Sequence, residues 1–214
     1  MIKNTISPEA ARRFYDRLGA GHDRAEMYES RAKQVGLERL ALSPGLRLLN
    51  VGVGTGKEHR LLVDGVGPTG LPAGIDLSPV MLRLTRDRTA APLCQADARR
   101  LPFRSGAFDR LFSAYVLDLI PLDDLPGLLA EMRRVLRPGG RLVLVSLTEG
   151  VNLPSRAIVG LWKLLYAASP VACGGCRPVQ LAGLVRQAGF QQVSREVVVQ
   201  LAVPSEVITA EHPA

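Results

Sequence analysis

Leu48-Leu49-Asn50-Val51-Gly52-Val53-Gly54-Thr55-Gly56 is a hydrophobic run that ends in a glycine-rich turn, and a helix-like segment follows it. Glycines suit such a turn because a Cβ blocks the close approach of a ligand and because some positions need positive φ. The helix that follows presents unpaired backbone N–H groups at its N-terminus. A lone G-x-G-x-G also occurs in ordinary turns, but a strand before it and a helix after it point to a nucleotide-type site.

Outward from this turn the sequence alternates. Short apolar runs at Leu46–Val51, Leu71–Ile75, Ala91–Gln95, Arg110–Ala114 and Leu142–Leu147 are separated by helical stretches at Thr55–Val63, Pro79–Arg88 and Leu122–Leu136. Strands that are apolar on both faces and separated by helices indicate an α/β fold with a parallel sheet covered on both sides. Upstream, residues 7–42 read as helical. Ser7-Pro8 supplies an N-cap with Pro at the first helical position, Gly19-Ala20-Gly21 is a break, and a second helix runs from Asp23 to Leu42. Downstream, Arg137-Pro138-Gly139-Gly140 stops a helix and Ser155–Ala168 reads as another. A further helix over Val179–Ala188 closes at Gly189. Phe190–Leu201 and Ser205–Glu211 are β-rich and joined too closely for a crossover, so they form an antiparallel pair. With no repeat or linker, a single domain is expected over 1–214. Its parts are a helical cap (1–42), a cofactor-binding core (43–148), an apolar insert with a helix (149–189) and a C-terminal hairpin (190–211).

Two carboxylates follow strands. Asp76, in Gly74-Ile75-Asp76-Leu77-Ser78, comes 20 residues after Gly56. There it either accepts hydrogen bonds from a ribose or caps the helix from Pro79, and the glycine turn favours the ribose. Asp97, in Gln95-Ala96-Asp97-Ala98, reads either as an adenine contact or as a turn residue. Two cofactors fit these features. A dinucleotide turn prefers G-x-G-x-x-G, but Lys57 occupies the third-glycine position and Gly56 comes one residue early. No second glycine fingerprint follows, so an NAD-dependent oxidoreductase is the weaker alternative.

The run from Tyr15 to Thr209 resembles a class I S-adenosylmethionine-dependent methyltransferase, and within that class the small ubiquinone/menaquinone biosynthesis C-methyltransferases. The resemblance is carried by Asn50–Gly56, Gly74–Leu82, Asp97–Phe103, Gly106-Ala107-Phe108-Asp109-Arg110 and Glu131–Leu142, five motifs in family order, with Tyr15-Asp16 ahead of them. It implies a Rossmann-like three-layer sandwich whose seven-stranded sheet is mostly parallel, with the last strand antiparallel. It also implies S-adenosyl-L-methionine as cofactor. Gly52, Gly54, Thr55 and Gly56 would hold its methionyl part, Asp76 the ribose, and Asp97 with Ala98 the adenine; Ala114 would lie beside the sulfonium, and Tyr15 would complete the site. One departure is Asn50, where the family usually carries Asp or Glu. The amide keeps hydrogen bonding but removes a negative charge near a cationic cofactor, which leaves a non-catalytic cofactor-binding module as an alternative.

Methyl transfer from a sulfonium needs alignment and water exclusion more than proton transfer. A base is required only if the acceptor must lose a proton; candidates lie in Tyr115-Val116-Leu117-Asp118 after the fourth strand, where Asp118 is either the weak catalytic candidate or the cap of the helix starting near Leu122. His59 reads as a helix-face residue. The acceptor pocket is expected from Arg12–Tyr28 and from the insert Gly150–Arg177. The insert's Leu153, Ile158, Val159, Leu161, Trp162, Leu165 and Tyr166 are either ordinary core, the wall of a lipophilic site, or a face resting on a membrane surface beside Arg156 and Lys163. The expected partner is therefore a small-molecule acceptor such as a quinone precursor, with peripheral membrane contact as an alternative. A phospholipid N-methyltransferase is a further one.

Composition sets the remaining bounds. The chain has 214 residues, 47% hydrophobic and 22% charged, with a formal net charge of +7. Of its 27 basic residues four are Lys (Lys3, Lys33, Lys57, Lys163), and the arginines are scattered without aromatic interleaving, which argues against a nucleic-acid face. No apolar run reaches the roughly 18 residues of a membrane span, and Met1-Ile2-Lys3-Asn4-Thr5 leads into no apolar stretch, so a cytoplasmic location is expected. Cys173-Gly-Gly-Cys176 has C-x-x-C spacing but lies in a Pro/Gly-rich loop with too few companion ligands, so no metal is expected. Nothing in the sequence sets the oligomeric state.

Overall fold

The computed structural model describes residues 2 and 5–214; Met1, Lys3 and Asn4, on which the leader reading rests, lie outside them. Seven strands form one sheet: β1 (Arg47–Val51), β2 (Leu71–Asp76), β3 (Leu93–Gln95), β4 (Phe108–Ala114), β5 (Leu136–Leu147), β6 (Gln191–Gln200) and β7 (Val203–Glu211). Their order is β3-β2-β1-β4-β5-β7-β6. The first five are parallel, and β7 runs antiparallel to both β5 and β6. The helices are α1 (Pro8–Leu18), α2 (Glu26–Arg39), α3 (Lys57–Val66), α4 (Pro79–Arg86), α5 (Leu125–Val135), α6 (Leu153–Ala168) and α7 (Ala182–Gln187).

Period-2 alternation in the strands divides the core between the two faces. Leu49, Leu111, Leu142 and Leu144 pack on the side of α5 and α7 with Met132 and Val185. Leu48, Phe112, Val143 and Val145 pack on the other with Leu62 of α3 and Ala32 of α2. Both faces are buried, which is why these strands read as continuous apolar runs.

Several boundaries differ from the expectation, each for a local reason. The second N-terminal helix begins as a 3-10 segment over Gly19–Ala25 and ends at Arg39, two residues before Ala41 takes φ 49. Arg137–Gly140 lies inside β5 as a bulge, its register shifting between Phe108 and Arg110 of β4. Gly139 N–H donates to His212 O, and His212 N–H donates to Gly140 O, so the irregular backbone stays paired. The helix expected from Val179 begins only at Ala182. Ahead of it, Val179 N–H donates to Leu147 O, and Leu181 N–H donates to the buried Glu206 carboxylate at 2.6 Å. The hairpin turns at Leu201-Ala202, both at positive φ. That is the type I′ geometry, whose twist matches the flanking strands.

The insert divides. Val159 and Tyr166 of α6 are buried, and Trp162 donates from Nε1 to Cys176 O at 2.9 Å. Leu153, Ile158, Leu161 and Leu165 face solvent, together with Leu164. No helix among the described residues is long and apolar enough to cross a membrane.

Candidate active site

β1 has β2 on one side and β4 on the other, so the chain reverses its winding direction there. In an open α/β sheet the crevice at the carboxyl ends of such strands is where ligands bind. The glycine turn occupies it. Gly52 and Val53 N–H groups both donate to Ile75 O, at 2.8 and 3.0 Å, tying the turn to β2. Gly52, Gly54 and Gly56 have φ of 78°, 56° and 90°, a region that L side chains rarely adopt.

The three glycines have different neighbours. A Cβ on Gly52 would lie 2.2 Å from Val116 Cγ2, and one on Gly56 would lie 2.8 Å from the Thr85 Cα. A Cβ on Gly54 would meet no protein atom within 4 Å. The first and third keep the turn against its neighbours; the second keeps open the cavity that it lines.

Asp76 ends β2 beside the turn. Its Oδ2 accepts the Gly54 N–H and its Oδ1 the Ser78 N–H, both at 2.9 Å. Burial pushes its pKa up to about 6, against the opposing pull of those N–H donors. Ser78 caps α4 by accepting the Met81 N–H, and its hydroxyl donates to Asp16 at 2.6 Å. The Tyr15-Asp16 pair thus divides its work: Asp16 clamps α1 to the start of α4, and Tyr15 lines the cavity. Thr55 also lines it, but its hydroxyl donates to Asp23 and accepts from Arg88, fastening the turn to the 3-10 segment. Asp97 and Ala98 form part of the same wall. Arg99 chelates the Asp97 carboxylate with Nη2 to Oδ2 at 2.7 Å and holds its pKa below the usual range. Arg99 also reaches Asp124.

Tyr15, Gly52, Gly54, Thr55, Asp76, Asp97, Ala98 and Ala114 therefore surround one cavity. Gly56 lies outside its wall, against α4. Asp118 is not in the wall either. It is fully buried behind it, accepting the Leu147 N–H at 3.3 Å and the Cys176 S–H at 3.2 Å on Oδ2, and it does not cap α5. The insert also contributes nothing to the wall. Its loop instead braces the N-terminal segment: Thr5 Oγ1 donates to Gly175 O, and Arg177 Nε donates to Ile2 O. That segment's Ile6 and Pro8 are what line the cavity. Among the described residues no group of three or more potential ligands could hold a metal ion.

Among the wall residues that sequence reading did not single out are Glu29 and Lys33 of α2 and Glu58 of α3; Tyr115, in the stretch after β4 where a base was sought, also lines the wall, and its φ is 54°. Tyr115 follows Ala114, and its Oη lies 2.6 Å from Ser205 Oγ. His59 is fully buried beside Asn50, with 3.4 Å between Asn50 Nδ2 and His59 Nδ1, and burial lowers its pKa to about 4. It is neutral at physiological pH. A signal for Lys33 was present: lysine is rare in this arginine-rich chain, and Glu29 precedes it by one helical turn.

A glycine turn and a buried carboxylate at the reversal point of a parallel sheet define the Rossmann-like class of nucleotide-cofactor proteins. A methyltransferase-domain family model matches residues 49–144. Demethylmenaquinone methyltransferase of Staphylococcus aureus is 32% identical over 177 residues, covering 78% of this chain and 69% of that protein. The ubiquinone/menaquinone biosynthesis C-methyltransferase of Bordetella parapertussis is 38% identical over 116 residues, which span 52% of this chain and 44% of that longer protein. Phosphoethanolamine N-methyltransferase 2 of Haemonchus contortus, solved with S-adenosyl-L-methionine, has the same fold. Its TM-score is 0.69 at 18% identity, over all of this chain and 62% of that one. The chain belongs to the S-adenosylmethionine-dependent methyltransferase family.

Proposed function

We propose that the protein transfers the methyl group of S-adenosylmethionine to a small lipophilic acceptor of the quinone-precursor type. The carrying observation is that loops centred on Gly54, Asp76 and Asp97, distant in sequence, line one cavity. In this reading Gly52, Gly54 and Thr55 flank the methionyl part, with Gly56 holding the turn against α4. Asp76 takes the ribose, Asp97 and Ala98 the adenine, and Ala114 and Tyr15 border the reacting end. Bound there, the cofactor supplies an electrophilic methyl on a sulfonium whose leaving thioether needs no proton. The chain's own task is alignment and exclusion of water. Ile6, Pro8, Leu119, Ile120 and Pro121 give the wall an apolar stretch suited to a lipophilic acceptor.

Thermal unfolding tests the cofactor. S-adenosylhomocysteine at 100 times its Kd adds about 2.7 kcal/mol, which is roughly 5–10 °C in Tm for a chain of this size. NAD should produce no shift. A shift with NAD alone would sink the proposal, and an undiminished shift in Asp76→Ala would remove the ribose role.

Asp76 also sets a pH dependence. Its folded pKa of about 6 lies above the ordinary carboxylate value. Its contribution to stability is therefore present below the unfolded pKa and is lost as pH rises through 6. Accepting two hydroxyl donors favours the ionised form, so affinity for S-adenosylhomocysteine should fall about tenfold per pH unit below 6. Calorimetric titration at pH 5 and 7 reads this, and Asp76→Asn should flatten the profile.

The exposed leucines of α6 support a second feature, contact with a membrane surface where a lipophilic acceptor resides. Leu153 and Leu164 are 81% and 71% exposed, and Arg156 shares their helix. Co-sedimentation with anionic vesicles should fall when Leu161 and Leu164 are both changed to Ser; equal binding by that variant would refute it.

A further inference from the structure

The turn Cys173-Gly174-Gly175-Cys176 lies outside the cavity wall, and its cysteines are free and half-buried. The Cys176 N–H donates to Cys173 O at 3.0 Å, and Gly174 and Gly175 have φ of 61° and 80°. Positive φ at both central residues is the type I′ pattern, which glycine adopts without strain. The ends of a β-turn lie within about 7 Å at Cα, and a disulfide spans roughly 4.4–6.8 Å between Cα atoms. The thiols are close enough that charge on Cys173 opposes ionisation of Cys176. Cys94, the third cysteine, stands exposed on the edge strand β3.

The back of the turn is fixed. A Cβ on Gly174 would lie 2.7 Å from the Phe14 ring, and one on Gly175 would lie 2.7 Å from Ile6 Cγ1. Gly175 O accepts from Thr5 Oγ1 at 2.7 Å, and Trp162 Nε1 donates to Cys176 O at 2.9 Å. The fold thus holds both cysteines at the ends of one turn with no bond between them. We propose that Cys173 and Cys176 are a thiol–disulfide exchange site that takes a small disulfide such as oxidised glutathione. The Cys173 thiolate attacks one sulfur of that disulfide, forming a mixed disulfide and releasing a glutathione thiolate. Cys176 then attacks Cys173 Sγ and expels the second glutathione thiolate. Its proton has an acceptor in place, because the S–H already donates to Asp118 Oδ2 at 3.2 Å. In sum two protein thiols are oxidised, one glutathione disulfide is reduced, and the two protons end on the two glutathiones. Burial raises the pKa of both thiols, so the exchange is slow near neutral pH and quickens as pH rises. The turn also braces the N-terminal segment whose Ile6 and Pro8 line the cavity, so the state of the pair reaches that wall.

The test equilibrates the full chain with graded ratios of reduced to oxidised glutathione at about pH 8.5, near an ordinary thiol pKa. Samples are quenched with acid, alkylated and weighed. The expected product lacks two hydrogens, yields a peptide joining Cys173 to Cys176, and reverts with dithiothreitol. The turn is held in the folded chain alone, so the exchange constant should be about tenfold or more larger in buffer than in guanidinium chloride. By linkage, the oxidised protein should then melt higher than the reduced one. Cys173→Ser and Cys176→Ser should form no internal bond and should each take up one glutathione at the turn. Cys176→Ser keeps a donor for Asp118, which separates loss of the sulfur from loss of that contact. An equal or smaller constant in the folded chain overturns the proposal. So does a mixed disulfide at Cys173 that never closes, or a bond from either cysteine to Cys94.

Discussion

Gly54→Ala is expected to abolish the thermal shift produced by S-adenosylhomocysteine while leaving a folded protein. The added methyl meets no protein atom within 4 Å, so the apo structure has room for it. The residue's φ of 56° costs an L-residue about 1–2 kcal/mol, equivalent to a Tm loss of roughly 2–8 °C. The room that receives the methyl is the cavity beside Asp76, where backbone must approach the ligand closely. An affinity loss of about a hundredfold or more would follow from displacing a ligand held by several polar contacts. The neighbouring glycines make the comparison specific. Gly52→Ala drives its methyl to 2.2 Å from Val116, and Gly56→Ala to 2.8 Å from the Thr85 backbone. Those variants should lose far more stability, and lose binding only as a consequence. If Gly54→Ala shifts with ligand as the wild type does, the cavity beside the turn is not where the nucleoside sits.

The legible parts of the site were those whose chemistry is written locally. The turn at Gly52–Gly56 needs glycine because of its own φ angles and close neighbours, and Asp76 follows its strand at a fixed distance. Both could be read from a short window. Asp118 shows the limit of such a window. Its position after β4 made it the candidate base, but its burial depends on Cys176 and Leu147, 58 and 29 residues away. The fold follows a similar division. Strand alternation on both faces was plain in the sequence, whereas the bulge in β5 depends on a pairing with His212 that no local pattern announces. The insert was read as apolar, correctly by composition. Which of its residues are covered depends on where the loop over Cys173–Arg177 docks, and it docks on the N-terminal segment.

That docking is the basis of the second large effect. The Arg177 guanidinium is fully buried, and it donates to three backbone carbonyls: Ile2 O at 2.9 Å, Asp118 O at 2.7 Å and Ile120 O at 2.5 Å. Burial draws its pKa below the ordinary arginine value, yet arginine remains charged at any pH at which proteins fold. One side chain thus joins the N-terminal segment, the loop after β4 and the loop before α7. Arg177→Met keeps most of the volume and strands three buried acceptors, which should cost about 3–5 kcal/mol. At 2–4 °C per kcal/mol, that is a Tm loss of roughly 6–20 °C. Arg177→Lys should not restore it, because an ammonium is a point donor and cannot reproduce a planar fork. Differential scanning calorimetry reads both variants, and a Tm within about 3 °C of wild type for Arg177→Met would show that the carbonyls find other partners. The consequence for function is indirect. Ile6 and Pro8 line the cavity, and the segment bearing them is fastened by Arg177 and Thr5 in addition to the Asp16 clamp on α1. Below the lowered Tm, Arg177→Met should still bind S-adenosylhomocysteine, since Gly54 and Asp76 are untouched, but more weakly, as the apolar wall over the acceptor side loosens.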